Sequence, residues 1–193
     1  RIIMLKKFDA GRVLELCESE GATILFGVPT MMDRMARTEQ FQKMKLSSVR
    51  YAIVGGEPMP VDLIGLWAEK GIPIRQGFGL TEFGPNVFSL NEEDAIRKKG
   101  SIGFPNFYVD VKVIDTGAGA ELKEPNSIGE LCLRGPACTP GYWRNEKATA
   151  DSIRDGWFHT GDLVRRDEEG YFYVVGRRKE MYISGGENVY PAE

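Results

Sequence analysis

Cysteine is scarce in this 193-residue sequence: Cys17, Cys132 and Cys138 are all there is, an odd number with no CxxC spacing. That count argues against a disulfide framework and for thiols in a reducing compartment, so a cytoplasmic location is expected. An excess of positive charge is lacking too: 25 Lys plus Arg stand against 28 Asp plus Glu, a net charge of −3, with no basic block. Without a cationic face nothing draws in a phosphate backbone, which excludes nucleic acid as a partner. No apolar run approaches the ~20 residues that span a bilayer, so a transmembrane segment is excluded while peripheral membrane contact stays open. Apolar residues make up 42% and charged residues 27%, a globular balance that excludes disorder. The chain opens on Arg1 and stops at Glu193, five residues after the loop-like run Ser184 to Asn188. Neither end has the polar flank of a domain edge, so a piece of a larger protein is expected.

Two patterns follow each other along the chain. Up to about residue 98, short apolar runs alternate with helical ones. Asp9 is a candidate N-cap for a helix whose Val13, Leu14, Leu16 and Cys17 share one face and which ends at Gly21. Residues 22–26 read as a buried strand, and Pro29-Thr30 opens a helix whose Met31, Met32 and Met35 are core. A strand over 49–54, a helix over 61–69 and a strand over 72–75 complete the alternation that marks βαβ units and a parallel sheet. From about Gly100 the period becomes two, at 108–114, 129–134 and 171–175, with turn residues between and one helix near 145–153. That pattern reads as antiparallel strands in a barrel or meander. The expected fold class is α/β: a partial parallel α/β layer over 1–98, a small antiparallel β-barrel-like subdomain over 99–176, then 177–193. Residues 91–99 allow one more helix.

Ligands collect at strand ends of a parallel sheet, where helix N-termini and freed backbone amides point outward. One such end is Gly55-Gly56-Glu57-Pro58-Met59-Pro60, whose glycines allow close backbone approach and whose prolines fix the exit. Another is Gln76-Gly77-Phe78-Gly79-Leu80-Thr81-Glu82. Phe78 between glycines suits a planar base, while the Thr81 hydroxyl and Glu82 carboxylate are ligand types for phosphate and Mg²⁺. Position 82 is not glycine, so the dinucleotide fingerprint fails. The third run, Trp157-Phe158-His159-Thr160-Gly161-Asp162-Leu163, reads as a tight turn carrying a carboxylate. Asp162 there either receives a diol such as ribose or closes an Asx turn. The fourth, Gly176-Arg177-Arg178-Lys179-Glu180 followed by Ser184-Gly185-Gly186-Glu187-Asn188-Val189-Tyr190-Pro191, contains a basic cluster that in isolation is a solvated face.

In this order and spacing the four runs resemble the adenylate-forming superfamily of acyl-CoA synthetases, firefly luciferase and peptide-synthetase adenylation domains. The resemblance extends from Val28-Pro29-Thr30 to Tyr190-Pro191-Ala192-Glu193, and residues 93–103 look similar to fatty-acyl members. It implies the later part of the large N-terminal domain, the hinge and the start of the C-terminal domain. It also implies an acid–thiol ligase that activates a carboxylic acid, expected to be a fatty acid, as acyl-AMP and passes it to coenzyme A, using ATP and Mg²⁺. On that resemblance Gly56, Glu57 and Pro58 line the adenine and acyl side of the pocket. Gln76, Gly77, Phe78, Gly79, Leu80 and Thr81 wrap the nucleotide, with Phe78 on adenine and Thr81 at the α-phosphate. Glu82 holds Mg²⁺, Asp162 with Arg177 binds the ribose, Lys179 is the hinge, and Gly185 and Gly186 border the CoA tunnel.

The chemistry suits such residues. A carboxylate attacking the α-phosphorus is already charged and needs no general base, so positioning and charge screening are the task. His159, the single histidine, is read as structural. The family's phosphate loop lies upstream of Arg1 and its acylation lysine downstream of Glu193, so the isolated stretch is expected to be inactive. A luciferase-like or carrier-protein-acylating enzyme, and a non-catalytic nucleotide-binding module, remain as alternatives; the oligomeric state stays open.

Overall fold

The first helix, α1 (Ala10–Ser19), begins where Asp9 Oδ1 accepts the Arg12 amide at 2.8 Å and satisfies one of the helix's unpaired donors. Its inward stripe buries Leu14 and Cys17. The chain continues through β1 (Ile24–Gly27), α2 (Pro29–Ala36), α3 (Glu39–Lys43), β2 (Tyr51–Val54), α4 (Val61–Glu69) and β3 (Ile74–Leu80). Pro29 stands in the first turn of α2, where its missing amide costs nothing, and Thr38 caps α3. β1 pairs parallel with β2 and β2 with β3, registering Leu25 on Ala52 and Ala52 on Ile74. Met32, Met35, Val54, Ile64 and Trp67 are fully or nearly fully buried in the core of this layer, so the methionines of α2 are packing residues.

This computed structural model describes residues 1–180, 182–184 and 187–189. They divide into two compact units: Arg1–Gly77 with Leu90–Gly100, and Phe78–Ser89 with the chain from Ser101 onward. A single cut near residue 99 therefore does not describe the contacts. The end of β3 and the strand after it, β4 (Gly84–Ser89), belong to the second unit. Residues 91–99 run through successive turns, with amides reaching three or four residues back in turn (Asp94 to Asn91 at 3.2 Å, Lys98 to Asp94 at 2.7 Å), so no continuous helical ladder forms.

The second unit adds β5 (Phe104–Pro105), β6 (Asp110–Ile114), β7 (Gly129–Arg134), α5 (Glu146–Ser152), β8 (Ile153–Arg154), β9 (Trp157–Arg166) and β10 (Phe172–Arg177). Its main sheet has the antiparallel order β10-β9-β7-β6, with β8 also on β9. Val87, Phe88, Leu131, Leu133, Phe158 and Val164 form its core. Two short strands, β11 (Tyr182–Ser184) and β12 (Glu187–Val189), pair antiparallel beyond it. No helix among the described residues is long and apolar enough to cross a membrane.

Two runs, one read as a strand end and one as a tight turn, are strands. Residues 76–80 extend β3, and 157–166 form one ten-residue strand; internal glycine gave each the look of a break. Gly79 is there for space. A Cβ at this position would sit 2.6 Å from the Gly84 carbonyl oxygen and collide with the Pro85 backbone. Gly79→Ala is expected to lower stability by about 2–3 kcal/mol, because backbone cannot yield as a side chain can. Gly84→Ala, where a Cβ meets open space, should cost only its backbone strain, about 1 kcal/mol. Equal urea midpoints for the two variants would contradict this reading.

Candidate functional site

In the first unit, β2 runs out at Val54 and the chain turns through Gly55 to Pro60 into α4. The buried Gln76 side chain pins this turn: its Oε1 accepts the Met59 amide at 2.8 Å. Gly56, Glu57 and Pro58 remain exposed. Glu57 and Pro58 face a groove of about 930 Å³ whose apolar walls include Phe8, Met31, Leu63 and Leu66. Gln76 therefore spends its side-chain acceptor on the protein, holding the loop that carries the candidate adenine-side residues.

In the second unit, Phe78 is half-buried, edge-on to Phe88 at 5.8 Å between centroids. Thr81 is exposed in the turn after β3 and Glu82 is half-buried. Glu82 is held twice: its carbonyl accepts the Thr139 amide at 2.7 Å, and its Oε1 accepts the Tyr142 hydroxyl at 2.7 Å. Burial, reinforced by the Glu82 carboxylate, pushes the Tyr142 phenol upward, so it remains a proton donor to Glu82. Tyr142 carries no sequence signal of its own, since its partner is sixty residues away. Among the described residues no three His, Cys, Asp or Glu side chains converge as a metal site. A single anchored carboxylate fits Mg²⁺, which keeps most of its ligands as water and phosphate oxygen.

Asp162 lies on β9 at an irregularity. Glu130 registers with Leu163 and Cys132 with His159, so Thr160, Gly161 and Asp162 face the single residue Leu131. Gly161 takes a φ of +73°, which favours glycine, and the Thr160 hydroxyl bonds the Leu131 carbonyl at 2.9 Å. Such a bulge re-aims a side chain, and it replaces the tight turn expected here. Asp162 is 5% exposed, and its Oδ1 accepts Arg177 Nε at 3.1 Å from the register-paired position on β10. Burial pushes the Asp162 carboxyl up, while Arg177 pulls it back down. Lys179 is exposed in the turn after β10; Gly185 and Gly186 lie outside the described residues.

The structure therefore brings Asp162 and Arg177 together, while the recorded partners of Glu82 are Tyr142 and Thr139. Sequence reasoning also missed a buried cluster of Glu130, Cys132 and His159. His159 Nδ1 is 3.4 Å from Cys132 Sγ and 3.5 Å from Glu130 Oε2. Burial first, with help from Glu130, pushes the Cys132 thiol up to about 12, the reverse of what an activated nucleophile needs. Burial also lowers the His159 pKa, so this cluster is not a Cys–His catalytic pair.

The model of one protein family, described as AMP-binding enzyme, matches residues 1–143. The chain is 43% identical over 192 residues to the feruloyl-CoA synthase of Amycolatopsis sp, covering 100% of this chain and 39% of that protein. It is 40% identical over 192 residues to the long-chain-fatty-acid–CoA ligase FadD13 of Mycobacterium tuberculosis, covering 100% and 38%. The o-succinylbenzoate CoA synthetase (MenE) of Bacillus subtilis, in complex with the acyl-adenylate intermediate OSB-AMP, superposes with a TM-score of 0.86 at 34% identity. That match covers 98% of this chain and 38% of the solved one, and the same enzyme in complex with ATP and magnesium ion gives 0.84. The chain thus spans about two fifths of the length of these relatives. Their names carry three different acids, so a fatty acid is not singled out.

Proposed function

The chain belongs to the AMP-binding enzyme family, and from that premise we propose that it is part of an ATP-dependent, AMP-forming ligase joining a carboxylic acid to coenzyme A. One observation carries the nucleotide half of this reading: a buried carboxylate, Asp162, presented on a strand bulge beside the guanidinium of Arg177. Burying a carboxylate is costly, and two acceptor oxygens next to a cation match the hydroxyls of a ribose. Phe78 offers a ring for adenine, Thr81 an exposed hydroxyl for the α-phosphate, and the backbone from Gln76 to Leu80 borders the nucleotide. Gly56, Glu57 and Pro58 face the adenine and acyl side, and the 930 Å³ groove beside them is roomy enough for an organic acid.

The acid's own carboxylate attacks the α-phosphorus, and pyrophosphate leaves. Glu82, steadied by Tyr142, would hold Mg²⁺, which when bound screens the phosphate charge. On this reading Lys179, exposed in the turn after β10, serves as the hinge. The thiol of coenzyme A then attacks the acyl carbon and AMP departs. A cytoplasmic location goes with this reading, since three free thiols suit a reducing compartment.

The complete protein should convert ATP, coenzyme A and an acid drawn from a feruloyl, succinylbenzoyl and fatty-acyl panel to AMP, pyrophosphate and a thioester, scored by mass spectrometry. Acyl adenylate without thioester would point instead to a luciferase-like or carrier-protein-acylating enzyme. No ATP turnover with any acid would leave a nucleotide-binding module.

A further inference from the structure

Glu130 is 3% exposed on β7, in the middle of the second unit's sheet. It is deep enough that an ionised carboxylate loses its hydration and is held only if its partners compensate. His159 Nδ1 lies 3.5 Å from Glu130 Oε2, and the other partners form a closed ring. Gly161 donates its amide to Glu130 Oε1 at 3.2 Å, and Arg178 donates Nη1 to Glu130 Oε2 at 3.3 Å. Arg178 also donates its own amide to the Gly161 carbonyl at 2.8 Å. Both backbone groups of Gly161, the one left-handed residue of the bulge, are thus satisfied by two residues that also pair with each other.

The ring touches the ribose clamp from both sides, because Asp162 follows Gly161 and Arg177 precedes Arg178. We propose that Glu130 is a positioning residue for nucleotide binding, holding the 160–162 bulge and the end of β10 in register so that Asp162 and Arg177 face the ribose together. This rests on the reading of Asp162 as the ribose ligand. Glu130 itself has no ligand role: it is buried, and both of its oxygens are engaged by the protein's own donors. Only an acceptor at both oxygens satisfies the ring, since the Gly161 amide and the Arg178 guanidinium are both donors. A glutamine of the same shape must turn its NH₂ group against one of them, which loosens one side of the bulge without emptying the site.

The test is Glu130→Gln in the complete protein, followed by acid-dependent pyrophosphate exchange with ATP and with 2′-deoxy-ATP. The KM for ATP should rise about fivefold to tenfold with kcat within about twofold, and the KM for 2′-deoxy-ATP should change less. Added to Asp162→Ala, the substitution should have no further effect on this discrimination, because both act through the same carboxylate. Unchanged discrimination in Glu130→Gln overturns the proposal, as does an equal fall in kcat for both nucleotides, the mark of a smaller folded fraction. If Asp162→Ala itself keeps full ribose discrimination, the reading of Asp162 fails, and the role of Glu130 with it. Should Glu130→Gln not fold, Arg178→Gln breaks the same ring from its half-exposed side and must shift discrimination in the same direction.

Discussion

Glu82→Gln in the complete protein should slow adenylation by about 100-fold or more while leaving the fold intact. The structure separates the two effects. Glutamine keeps an amide oxygen that can accept the Tyr142 hydroxyl, and the Glu82 carbonyl keeps its bond from the Thr139 amide, so the turn after β3 loses no hydrogen bond. What disappears is a negative charge on a short, anchored stem, the one feature that suits Glu82 to Mg²⁺. With no general base in the scheme, charge screening supplies most of the acceleration this region can offer, so the loss should fall on kcat. Pyrophosphate exchange read across a Mg²⁺ titration decides the matter. An exchange rate like that of the wild type at every Mg²⁺ concentration would leave Glu82 a structural residue of the hairpin.

Asp162→Ala carries the second large effect. The carboxylate is almost wholly buried and offers charge-assisted hydrogen bonds, worth about 1.5–3 kcal/mol each, to a hydroxyl partner. Losing them should raise the KM for ATP about tenfold to a hundredfold, and should penalise 2′-deoxy-ATP less than the wild type does. If the nucleotide and protein changes add in full, the carboxylate is not meeting the ribose.

Stability should move the opposite way from function. Burial raises the Asp162 pKa and Arg177 only partly offsets it, so the folded chain holds the Asp162 proton more tightly than the unfolded chain does. The ionised side chain therefore costs stability above its folded pKa. That cost fades as acid titrates it towards the ordinary 3.8. Asp162→Asn should accordingly be at least as stable as the wild type at neutral pH, with its advantage shrinking on acidification, as thermal melts across pH can show. Arg177 is two-thirds exposed at its side chain, so it is left in solvent and adds no buried unpaired charge to the balance.

Much of the scaffold was legible because its signals are local. Asp9 before an amphipathic run, Pro29 at the head of α2 and the period-two alternation of β7 each depend on residues within one or two turns of chain. The same locality explains the errors. Gly79 and Gly161 look like breaks to any reading of neighbours, yet one is required by the Gly84-Pro85 backbone beside it and the other sits in a bulge against β7. The charged run at 91–99 has helix-like composition, but its amides mix three-residue spans (Asp94 to Asn91, Ala95 to Glu92) with a four-residue one (Lys98 to Asp94).

By itself the sequence determined most of the element types, the parallel-then-antiparallel order and the motif runs that mark the family, since propensity, periodicity and spacing are written along the chain. Only the tertiary structure decided which groups meet. It set Tyr142 against Glu82, spent the Gln76 side chain on the Met59 amide and closed Glu130, Gly161 and Arg178 into one ring. The physical reason is that hydrogen-bond partners and burial costs depend on distance through space. Those distances arise from strand register, which the bulge at 160–162 resets, while its glycine shows in the local pattern only as a break.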